Sequence, residues 1–311
     1  MPSLVLALNP SIDAEWRVAD VQWQEKNIVQ TERRWAGGKG VNVARWLKHL
    51  GDRPQLLIPL GGSTGNELAK QLRDERIKSH IVHLREATRV NVIVTTKQGR
   101  QLRFNPVGPK LSTDEWRGIF EGVRTQLASA NCLIVSGSLP RAAPVATYAR
   151  LIRAAHATDR RTFLDCDGAA FGAAIRAKPF LVKPNEHELA QWYGRALNSE
   201  RALLQAARAL SKQIHSWVLV SRASKGACLI NELEGAAFAA RPPSVEAANT
   251  VGAGDAMLAA AAWQFIQGAP PRDWLRWAVA TGTAATLNQA GELAKIGAIR
   301  DMAWRIAVRE I

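Results

Sequence analysis

Residues 249–263 read NTVGAGDAMLAAAAW, and this stretch decides how the rest of the chain is interpreted. Gly252 and Gly254 stand ahead of a long run of small apolar residues, which predicts a tight turn followed by a buried helix. Asp255 falls at the beginning of that helix. A helix start leaves backbone N–H groups unpaired and carries the positive end of the helix dipole. Because glycine has no side chain, an anion can approach these N–H groups closely.

Such a turn suits the transfer of a phosphoryl group. A phosphoryl group in transfer spreads negative charge over its oxygens, and unpaired N–H groups stabilise that charge. Asp255 would then face the attacking hydroxyl and accept its proton as a general base. Taken alone, the same residues also fit close helix packing with an acid at a helix start. The common phosphate loops do not fit, because the chain has no G-x-x-x-x-G-K-[ST] motif and GAGDAM lacks the third glycine of a dinucleotide turn.

Outside this stretch, short apolar runs alternate with segments of helical period. The runs LVLAL, QLLIPL, CLIVSG, TFLDC, FLVKP and WVLVS predict strands, and the segments between them predict helices. After the AGGKG turn, for example, Val43, Trp46, Leu47 and Leu50 share one helical face. A helix is also expected from about Asn66 to Glu75. This alternation is typical of an α/β fold with a doubly wound, mostly parallel sheet and helices on both faces.

Two segments interrupt the alternation. Residues 13–35 show patches of period 2 and no helical face, and residues 90–105 predict a hairpin that turns at 97–100. We expect these segments to form a small separate sheet. The chain shows no internal repeat and no linker, so its 311 residues are expected to form one compact unit with this appendage.

Polar residues collect after the predicted strands. SGSLP follows CLIV, Asp165 ends TFLD, KPNEHE follows FLV, and SRASKG follows WVLV. Open α/β sheets bind their ligands at the edge formed by the carboxyl ends of parallel strands. We therefore expect the functional site at this edge.

Two of the polar motifs can hold a ligand. The stretch AGGKGVNVA (36–44) is a second glycine turn that opens a helix, and it can present Lys39 and Asn42 to a polyhydroxylated ligand. A plain strand-to-helix turn has the same pattern. In KPNEHEL, Asn185 and Glu188 lie three residues apart at a predicted helix start. An amide and a carboxylate so placed can hold a hydrated Mg²⁺ between nucleotide phosphates, but Asn185 also fits a simple N-cap.

Composition narrows the classes of protein. The chain has 41 Lys and Arg against 27 Asp and Glu, a formal charge of +14. The cations are scattered and accompany no zinc finger, helix-turn-helix or aromatic RNA-binding pattern, so the charge does not favour nucleic-acid binding. No apolar run is long enough for a membrane span, and the N-terminus has no basic leader. The three cysteines show neither disulfide nor zinc spacing, and we expect free thiols in the cytoplasm.

With these motifs in this order, the sequence resembles the PfkB (ribokinase-like) carbohydrate kinases almost from end to end. The resemblance is carried by LNPSID (8–13), AGGKGVNVAR (36–45), SGSLP (136–140), KPNEHEL (183–189), NTVGAGDAM (249–257) and ATLNQ (285–289). It implies a ribokinase-like fold, with one kinase domain over 1–311 and a β-sheet lid formed by about 13–35 and 88–106. It also implies ATP as phosphoryl donor with Mg²⁺, and a homodimer through the lid. Whether a monovalent cation assists near the Thr250 turn stays open.

The resemblance assigns roles residue by residue. Asp255 would be the catalytic base, and Gly252, Ala253 and Gly254 would form the anion hole. Sugar binding would involve Asp13, Gly38, Lys39, Asn42 and Ser138. The ATP–Mg²⁺ phosphates would be served by Lys183, Asn185 and Glu188, the last two also as Mg²⁺ donors through water. The nucleotide would contact Ser221, Gly226 and Asn288.

Within the family, the motifs are most similar to those of the hexose-phosphate kinases. These are 1-phosphofructokinase, tagatose-6-phosphate kinase and the minor bacterial 6-phosphofructokinase. Lys26 and Arg89 match the sugar-phosphate-binding positions of the last, whereas Lys39 is like the other two. The implied reaction is therefore ATP-dependent phosphorylation of fructose 6-phosphate, fructose 1-phosphate or tagatose 6-phosphate.

Two alternatives and one departure accompany this interpretation. A ribokinase-like or nucleoside-kinase-like enzyme would act on an unphosphorylated sugar or nucleoside, with Lys26 and Arg89 as ordinary lid charges. A non-catalytic, nucleic-acid-associated protein would use the positive charge, but the intact GAGD turn argues against lost catalysis. The departure is SRAS, where Arg222 and Ala223 replace the Leu-Gly pair usual among relatives. Arg222 would then contact either a phosphate or solvent.

Overall fold

The computed structural model describes all 311 residues. It contains fourteen strands and ten α-helices. The strands are β1 Leu4–Leu6, β2 Ser11–Val18, β3 Thr31–Gly37, β4 Gln55–Gly61, β5 Lys78–Leu84, β6 Arg89–Thr96, β7 Gln101–Phe104, β8 Cys132–Ser136, β9 Arg161–Asp165, β10 Leu181–Val182, β11 Trp217–Ser221, β12 Ala227–Asn231, β13 Ala236–Ala240 and β14 Val308–Glu310. The helices are α1 Lys39–Leu50, α2 Gly62–Asp74, α3 Thr113–Leu127, α4 Thr147–His156, α5 Gly168–Ala174, α6 Glu186–Tyr193, α7 Glu200–Ile214, α8 Ala253–Ile266, α9 Pro271–Thr286 and α10 Ile296–Arg305.

The main sheet has ten strands in the order β14-β13-β12-β11-β10-β9-β8-β1-β4-β5. The seven strands from β11 to β5 in this order pair in parallel, and β12, β13 and β14 extend the sheet antiparallel at one side. Because successive side chains of a strand point to opposite faces, each inner strand contributes side chains to two cores, one on each face of the sheet. Val5 of β1 packs in one core, while Leu4 and Leu6 pack in the other. The predicted α/β fold with helices on both faces is confirmed.

The helices divide between these two cores. Helices α1, α2, α8, α9 and α10 cover one face of the main sheet, and α3 to α7 cover the other. The helical face predicted after the AGGKG turn is buried as expected, since Val43, Trp46, Leu47 and Leu50 all lie in the first core. None of the ten helices combines the length and the apolar character needed to cross a membrane.

The segments that interrupt the alternation form a separate sheet of four strands, in the order β3-β2-β6-β7. β2 pairs antiparallel with β3 and parallel with β6, so the two predicted segments meet through β2 and β6. The hairpin between β6 and β7 turns at residues 97–100, as predicted. This four-stranded sheet supplies one wall of the cavity described below.

The predicted boundaries of α2 were wrong at its start. The helix begins at Gly62, four residues before the expected Asn66. Of the first four helical residues only Gly65 is buried, so the apolar period that marks the helix begins later, with Leu68, Ala69 and Leu72. The first turn therefore carries no sequence signal of period 3.6.

Helix α8 is almost entirely buried. Residues 255–262 are all buried, and the helix packs between α1 and α9. A helix that is apolar on every side has to be covered on every side, which explains the run of alanines. Small side chains allow the neighbouring helices to approach closely. At the closest point, Gly282 of α9 faces Met257 and the carbonyl of Ala253 at the first turn of α8.

We expect Gly282→Val to lower the free energy of unfolding by about 1–3 kcal/mol, because it overpacks this contact. A Cβ at Gly282 would lie 2.4 Å from Cγ of Met257 and 3.2 Å from the Ala253 carbonyl oxygen, and that backbone atom cannot move aside cheaply. Urea denaturation measures the loss. Gly297→Val in α10 is the matched control, since a Cβ there meets no atom within 4 Å. Equal losses in the two variants would contradict this account of the α8–α9 contact.

Candidate active site

A cavity of about 1610 Å³ opens at the carboxyl ends of the parallel strands, between the main sheet and the four-stranded sheet. This is the edge at which the polar motifs led us to expect a site. Fifteen of the residues predicted for the site line it: Asp13, Gly38, Lys39, Asn42, Arg89, Ser138, Lys183, Asn185, Glu188, Ser221, Gly226, Gly252, Ala253, Gly254 and Asp255. The structure thus brings together residues from LNPSID to GAGD that are up to about 240 positions apart in the chain.

The start of α8 forms the floor of the cavity. Gly252 is the N-cap residue with φ 79°, a left-handed conformation that favours glycine, and no side chain caps the helix. The first N–H groups of α8 have no partner within the helix and border the cavity. Asp255 follows in the first turn and is buried, and its Oδ2 accepts a hydrogen bond of 2.8 Å from Nδ2 of Asn42. Asn42 thereby fixes the direction of the carboxylate.

The environment of Asp255 changes its acidity. Burial raises its pKa to about 7, and the negative charge of Asp165 adds to the rise. Lys39, the hydrogen bond from Asn42 and Lys183 oppose the shift. A carboxyl group with a pKa near 7 can take up a proton and release it again at neutral pH.

Asp165 lies at the end of β9 between two lysines. Its Oδ1 is 3.0 Å from Nζ of Lys39, and its Oδ2 is 3.0 Å from Nζ of Lys183. Burial alone would raise the pKa of Asp165, but the two ammonium groups lower it, so the buried carboxylate stays charged. In turn, burial would lower the pKa of Lys39, but the carboxylates of Asp165, Asp255 and Glu188 raise it instead. The cavity therefore holds two positively charged lysines beside the start of α8.

The four-stranded sheet brings Asp13 to the other side of the cavity. Asp13 is buried, and its Oδ1 accepts hydrogen bonds from Oγ of Ser11 at 2.7 Å and from Nδ2 of Asn91 at 2.8 Å. A side chain at Gly37 would lie about 2.3 Å from the carboxyl carbon of Asp13, so only glycine fits there. Burial raises the pKa of Asp13, while these hydrogen bonds and the charge of Arg89 oppose the rise.

Two arginines of the four-stranded sheet line the cavity. Arg89 of β6 is partly buried and donates to the carbonyl oxygens of Pro106 at 2.7 Å and Asn9 at 3.1 Å. Arg103 of β7 is exposed, and its one hydrogen bond is to Gln101. Ser138, in the loop after β8, accepts a hydrogen bond of 3.0 Å from Asn9. This end of the cavity is therefore positively charged.

Residues that follow β10 and β11 line the remaining part of the cavity. Asn185 is the N-cap of α6 and forms a capping box with Glu188, each side chain accepting from the other residue's backbone N–H at 2.8 Å. The N-cap interpretation of Asn185 is therefore confirmed. Ser221 ends β11, and Gly226 (φ 87°) closes the loop after it. Ala223 of that loop also has a positive φ, 48°, which is unusual for alanine.

Two of the residues named from the resemblance do not line the cavity of this chain. Lys26 is exposed in the segment 19–30 between β2 and β3. Asn288 donates its side-chain amide to the carbonyl of Ala284, and its own carbonyl accepts from Asn249. Asn288 thus holds the loop before α8 and is separated from the cavity by Thr286 and Thr283, which line it. Their proposed roles stay predictions.

Asp165, Asn91 and Arg103 are among the lining residues that had no role in the sequence analysis. The only signal for Asp165 was its position at a strand end, and nothing local pointed to its pairing with Lys39 and Lys183. Asn91 and Arg103 lie on strands of period 2, and a strand pattern alone does not say which face meets a ligand. Arg222, expected to meet a phosphate or solvent, does neither, because its side chain is buried against Glu186 and Glu200.

Residues 8–293 match the model of the pfkB family carbohydrate kinases. The chain belongs to this family. It is 30% identical over 306 residues to a 1-phosphofructokinase of Borreliella burgdorferi, with 98% of each chain covered. It is also 33% identical over 291 residues to the ATP-dependent 6-phosphofructokinase isozyme 2 of Escherichia coli, with 93% of each covered.

Solved structures of phosphofructokinases have the same fold as this chain. Phosphofructokinase-2 from Escherichia coli, solved in complex with potassium, superposes with a TM-score of 0.91 at 31% identity and covers 98% of this chain and 99% of its own. The same enzyme in complex with fructose-6-phosphate gives a TM-score of 0.89 at 29% identity, with the same coverage. The predicted ribokinase-like fold is thus confirmed, and the protein is an ATP-dependent sugar kinase.

Proposed function

We propose that the protein transfers the γ-phosphoryl group of ATP to a hydroxyl of a ketohexose phosphate, with Asp255 as the general base. The substrate would be fructose 6-phosphate, fructose 1-phosphate or tagatose 6-phosphate. One observation carries the proposal: the oriented, buried carboxylate of Asp255 and the free N–H groups of α8 lie in one cavity that has arginines at one end and a loop after β11 at the other. The relatives named as phosphofructokinases support the substrate class.

The geometry supports an in-line transfer in which the proton of the sugar hydroxyl has a defined acceptor. The sugar hydroxyl attacks the γ-phosphorus, the bond from that phosphorus to the bridging oxygen breaks, and ADP leaves with the bond electrons. Asp255 takes the hydroxyl proton, while Asn42 keeps its carboxylate pointed at the acceptor. The N–H groups of residues 252–254 would stabilise the charge on the phosphoryl oxygens. Asp13 would hold sugar hydroxyls, since its carboxylate is fixed by Ser11 and Asn91.

Two lysines add positive charge at the point of transfer. Lys39 and Lys183 both pair with Asp165, and a Cβ at Gly254 would lie 3.2 Å from Nζ of Lys183. Nζ of Lys183 is therefore close to the backbone of the anion hole. We propose that Lys183 contacts the ATP phosphates and that Lys39 lies beside the acceptor sugar, with Asp165 holding both ammonium groups in position. This assigns to Asp165 a role that the sequence motifs did not suggest.

The residues present fit a hydrated Mg²⁺ bound together with ATP. The capping box uses one oxygen of the Glu188 carboxylate and one lone pair of the Asn185 amide oxygen, which leaves the second oxygen of Glu188 free to accept from a metal-bound water. No group of three or more His, Cys, Asp or Glu side chains is placed to hold a metal by itself. Such a sparse donor set suits Mg²⁺, which keeps several waters and is held chiefly by phosphates. When bound, the ion would neutralise phosphate charge.

The arginines at the far end favour a phosphorylated sugar. Arg103 makes few contacts of its own, so its guanidinium is available to a phosphate, and Arg89 lines the same cavity. One guanidinium group can bind two oxygens of a phosphate at the same time. The substrate phosphate would therefore lie under the four-stranded sheet, with the reacting hydroxyl near Asp255. In this arrangement the four-stranded sheet acts as a lid on the sugar within a single kinase domain.

We also propose that two chains associate through the four-stranded sheet. The segment 19–30 exposes Trp23 and Ile28 to 77% and 72%, which is unusual for large apolar side chains. Lys26 lies between them in the sequence, outside the cavity of its own chain. A homodimer would cover the apolar side chains, and it would give Lys26 a partner cavity to reach. A tetrameric, inhibited form is known of the Escherichia coli phosphofructokinase-2.

Asp255→Asn should lower kcat by at least about 100-fold, because asparagine keeps the hydrogen bond from Asn42 but cannot accept a proton. In the native enzyme, kcat/KM should rise with pH through about 7, since burial raises the pKa of Asp255 and only its carboxylate form is active. The variant's residual activity should lack this rise. Steady-state rates between pH 5.5 and 9 and thermal melting are the measurements. Near-native turnover in a folded variant would rule out the base.

Arg103→Ala should raise KM for the hexose phosphate by about tenfold or more and leave KM for ATP unchanged, because it removes one charge-assisted phosphate contact. Arg100→Ala is the matched control, since Arg100 lies in the same hairpin, pairs with Asp20 and does not line the cavity. Assays would compare the three hexose phosphates with fructose, ribose and adenosine. Turnover of only the unphosphorylated compounds would replace the proposed substrate class.

Trp23→Ser combined with Ile28→Ser should convert a dimer into monomers, because it removes most of the exposed apolar surface of segment 19–30. Light scattering after size-exclusion chromatography gives the mass of each species. Trp304→Ser is the control, since Trp304 on α10 is 89% exposed but lies outside the four-stranded sheet. A monomeric native protein, or dissociation caused by Trp304→Ser, would contradict the proposed interface.

A further inference from the structure

Arg222 is an arginine whose side chain is almost fully buried. It begins the loop 222–226 after β11, and its side chain is only 9% exposed. Its backbone closes the loop, because N–H of Arg222 donates to the carbonyl of Gly226 at 2.8 Å. On both sides of it, Ser221 and Ala223 line the cavity. The side chain itself points away from the cavity, into the protein.

The buried guanidinium contacts the starts of two helices. Its Nε is 3.1 Å from Oε1 of Glu186, and its Nη1 is 3.5 Å from Oε1 of Glu200. Glu186 is the first residue of α6, directly after the N-cap Asn185, and Glu200 is the first residue of α7. One side chain therefore connects the loop after β11 with α6 and α7. The backbone adds one link, since N–H of Ser221 donates to the carbonyl of Pro184.

Backbone contacts also connect these elements, since β10 pairs with β11 and Asn185 forms a β-bridge with Ser221. Leu189 is the only fully buried residue of α6, and Trp192 and Tyr193 pack partly buried against the same core. The loop contains Ala223 at φ 48°, a conformation that surrounding contacts have to enforce. The exposed ion pairs nearby, Lys225 with Glu186 and Arg309 with Glu200, both measure 3.7 Å and are screened by solvent. Among the ion pairs that reach these two helix starts, those of Arg222 therefore involve the most deeply buried cation.

The charges of Glu186 and Glu200 are a second reason to expect that Arg222 affects nucleotide binding. Without the guanidinium, Glu186 and Glu200 would keep only their exposed partners Lys225 and Arg309. Glu186 directly follows Asn185, where the proposed function puts the ATP phosphates. Carboxylates there would repel the nucleotide and each other. Arg222 thus both fixes the spacing between the loop and α6 and neutralises the helix starts. Neither effect reaches the sugar end of the cavity, which is built from the four-stranded sheet.

We propose that Arg222 is a positioning residue for the nucleotide: through Glu186 and Glu200 it holds the loop 222–226 and the start of α6 at the spacing that ATP requires. The inference rests on the proposed placement of ATP between these elements. It assigns to Arg222 a selective effect on the donor substrate. KM for ATP should depend on this ion pair, and KM for the sugar should not.

The experiment is a comparison of Arg222→Met, Arg222→Lys and native enzyme in steady-state kinetics. Methionine fills a similar volume without charge. We expect Arg222→Met to raise KM for MgATP by about tenfold while KM for the hexose phosphate and kcat at saturation stay within about twofold. Lysine keeps the charge but reaches one carboxylate at a time, so Arg222→Lys should be intermediate. A role in stability alone would lower the melting temperature without this split between the two KM values.

A double-mutant cycle identifies the partner. Glu186→Gln alone should raise KM for ATP by about threefold to fivefold, because it removes the shorter of the two ion pairs, and Arg222→Met with Glu186→Gln should be no worse than Arg222→Met. Multiplied effects would show that the two residues act independently and would overturn the proposal. Arg309→Met is the matched control, since Arg309 pairs with the same Glu200 from the exposed strand β14 and should leave KM for ATP unchanged. If Arg222→Met does not fold, Arg222→Lys and Glu186→Gln still form the comparison.

The outcomes separate this inference from the proposed function. Native enzyme without MgATP-dependent turnover of any hexose phosphate, or Asn185→Ala with an unchanged KM for ATP, would overturn the proposed reaction or the placement of ATP. A raised KM for ATP in Asn185→Ala, together with an unchanged KM in Arg222→Met, would overturn the role of Arg222 alone. The proposal is supported when both KM values for ATP rise and KM for the hexose phosphate does not.

Discussion

The structure depends on one constraint: α8 is apolar on every side, but it has to begin at the polar edge of the main sheet. Packing between α1 and α9 places the first turn of this helix, with Asp255, at the edge of the cavity. Helix packing of this kind is stiff, because interiors are close-packed. Apolar contacts therefore position the N–H groups that are proposed to bind an anion, together with the carboxylate of Asp255.

Around the start of α8, positive and negative side chains are paired with each other. Asp165 keeps two lysines close to the start of α8, and the same lysines limit the rise in the pKa of Asp255 that burial causes. A buried carboxylate without such neighbours would remain protonated and could not act as a base at neutral pH. The cations behind the overall charge of +14 are scattered along the chain. The proposed chemistry depends instead on a few buried groups whose charges compensate each other.

Two parts of the molecule form the cavity, namely the edge of the main sheet and the four-stranded sheet. The main sheet supplies the residues proposed to meet ATP and the reacting hydroxyl, whereas β2, β6 and β7 supply Asp13, Arg89, Asn91 and Arg103. Substrate choice can therefore change through the four-stranded sheet while the start of α8 stays the same. This division agrees with a family that phosphorylates different sugars on one fold, and it explains why the motifs left the choice among hexose phosphates open.

The sequence by itself determined the layered fold, the separate sheet and the glycine turn before α8, because each has a local signal: apolar period, strand alternation or a pair of glycines. The sequence predicted fewer strands at one side of the main sheet. There β12, β13 and β14 are short and partly alanine-rich, and they gave no strand signal. Only the tertiary structure decided which charges meet. Asp165 pairs with Lys39 and Lys183, Arg222 turns inward to Glu186 and Glu200, and Lys26 stays outside the cavity of its chain. These outcomes depend on distances between segments far apart in the chain, and no local pattern encodes such distances.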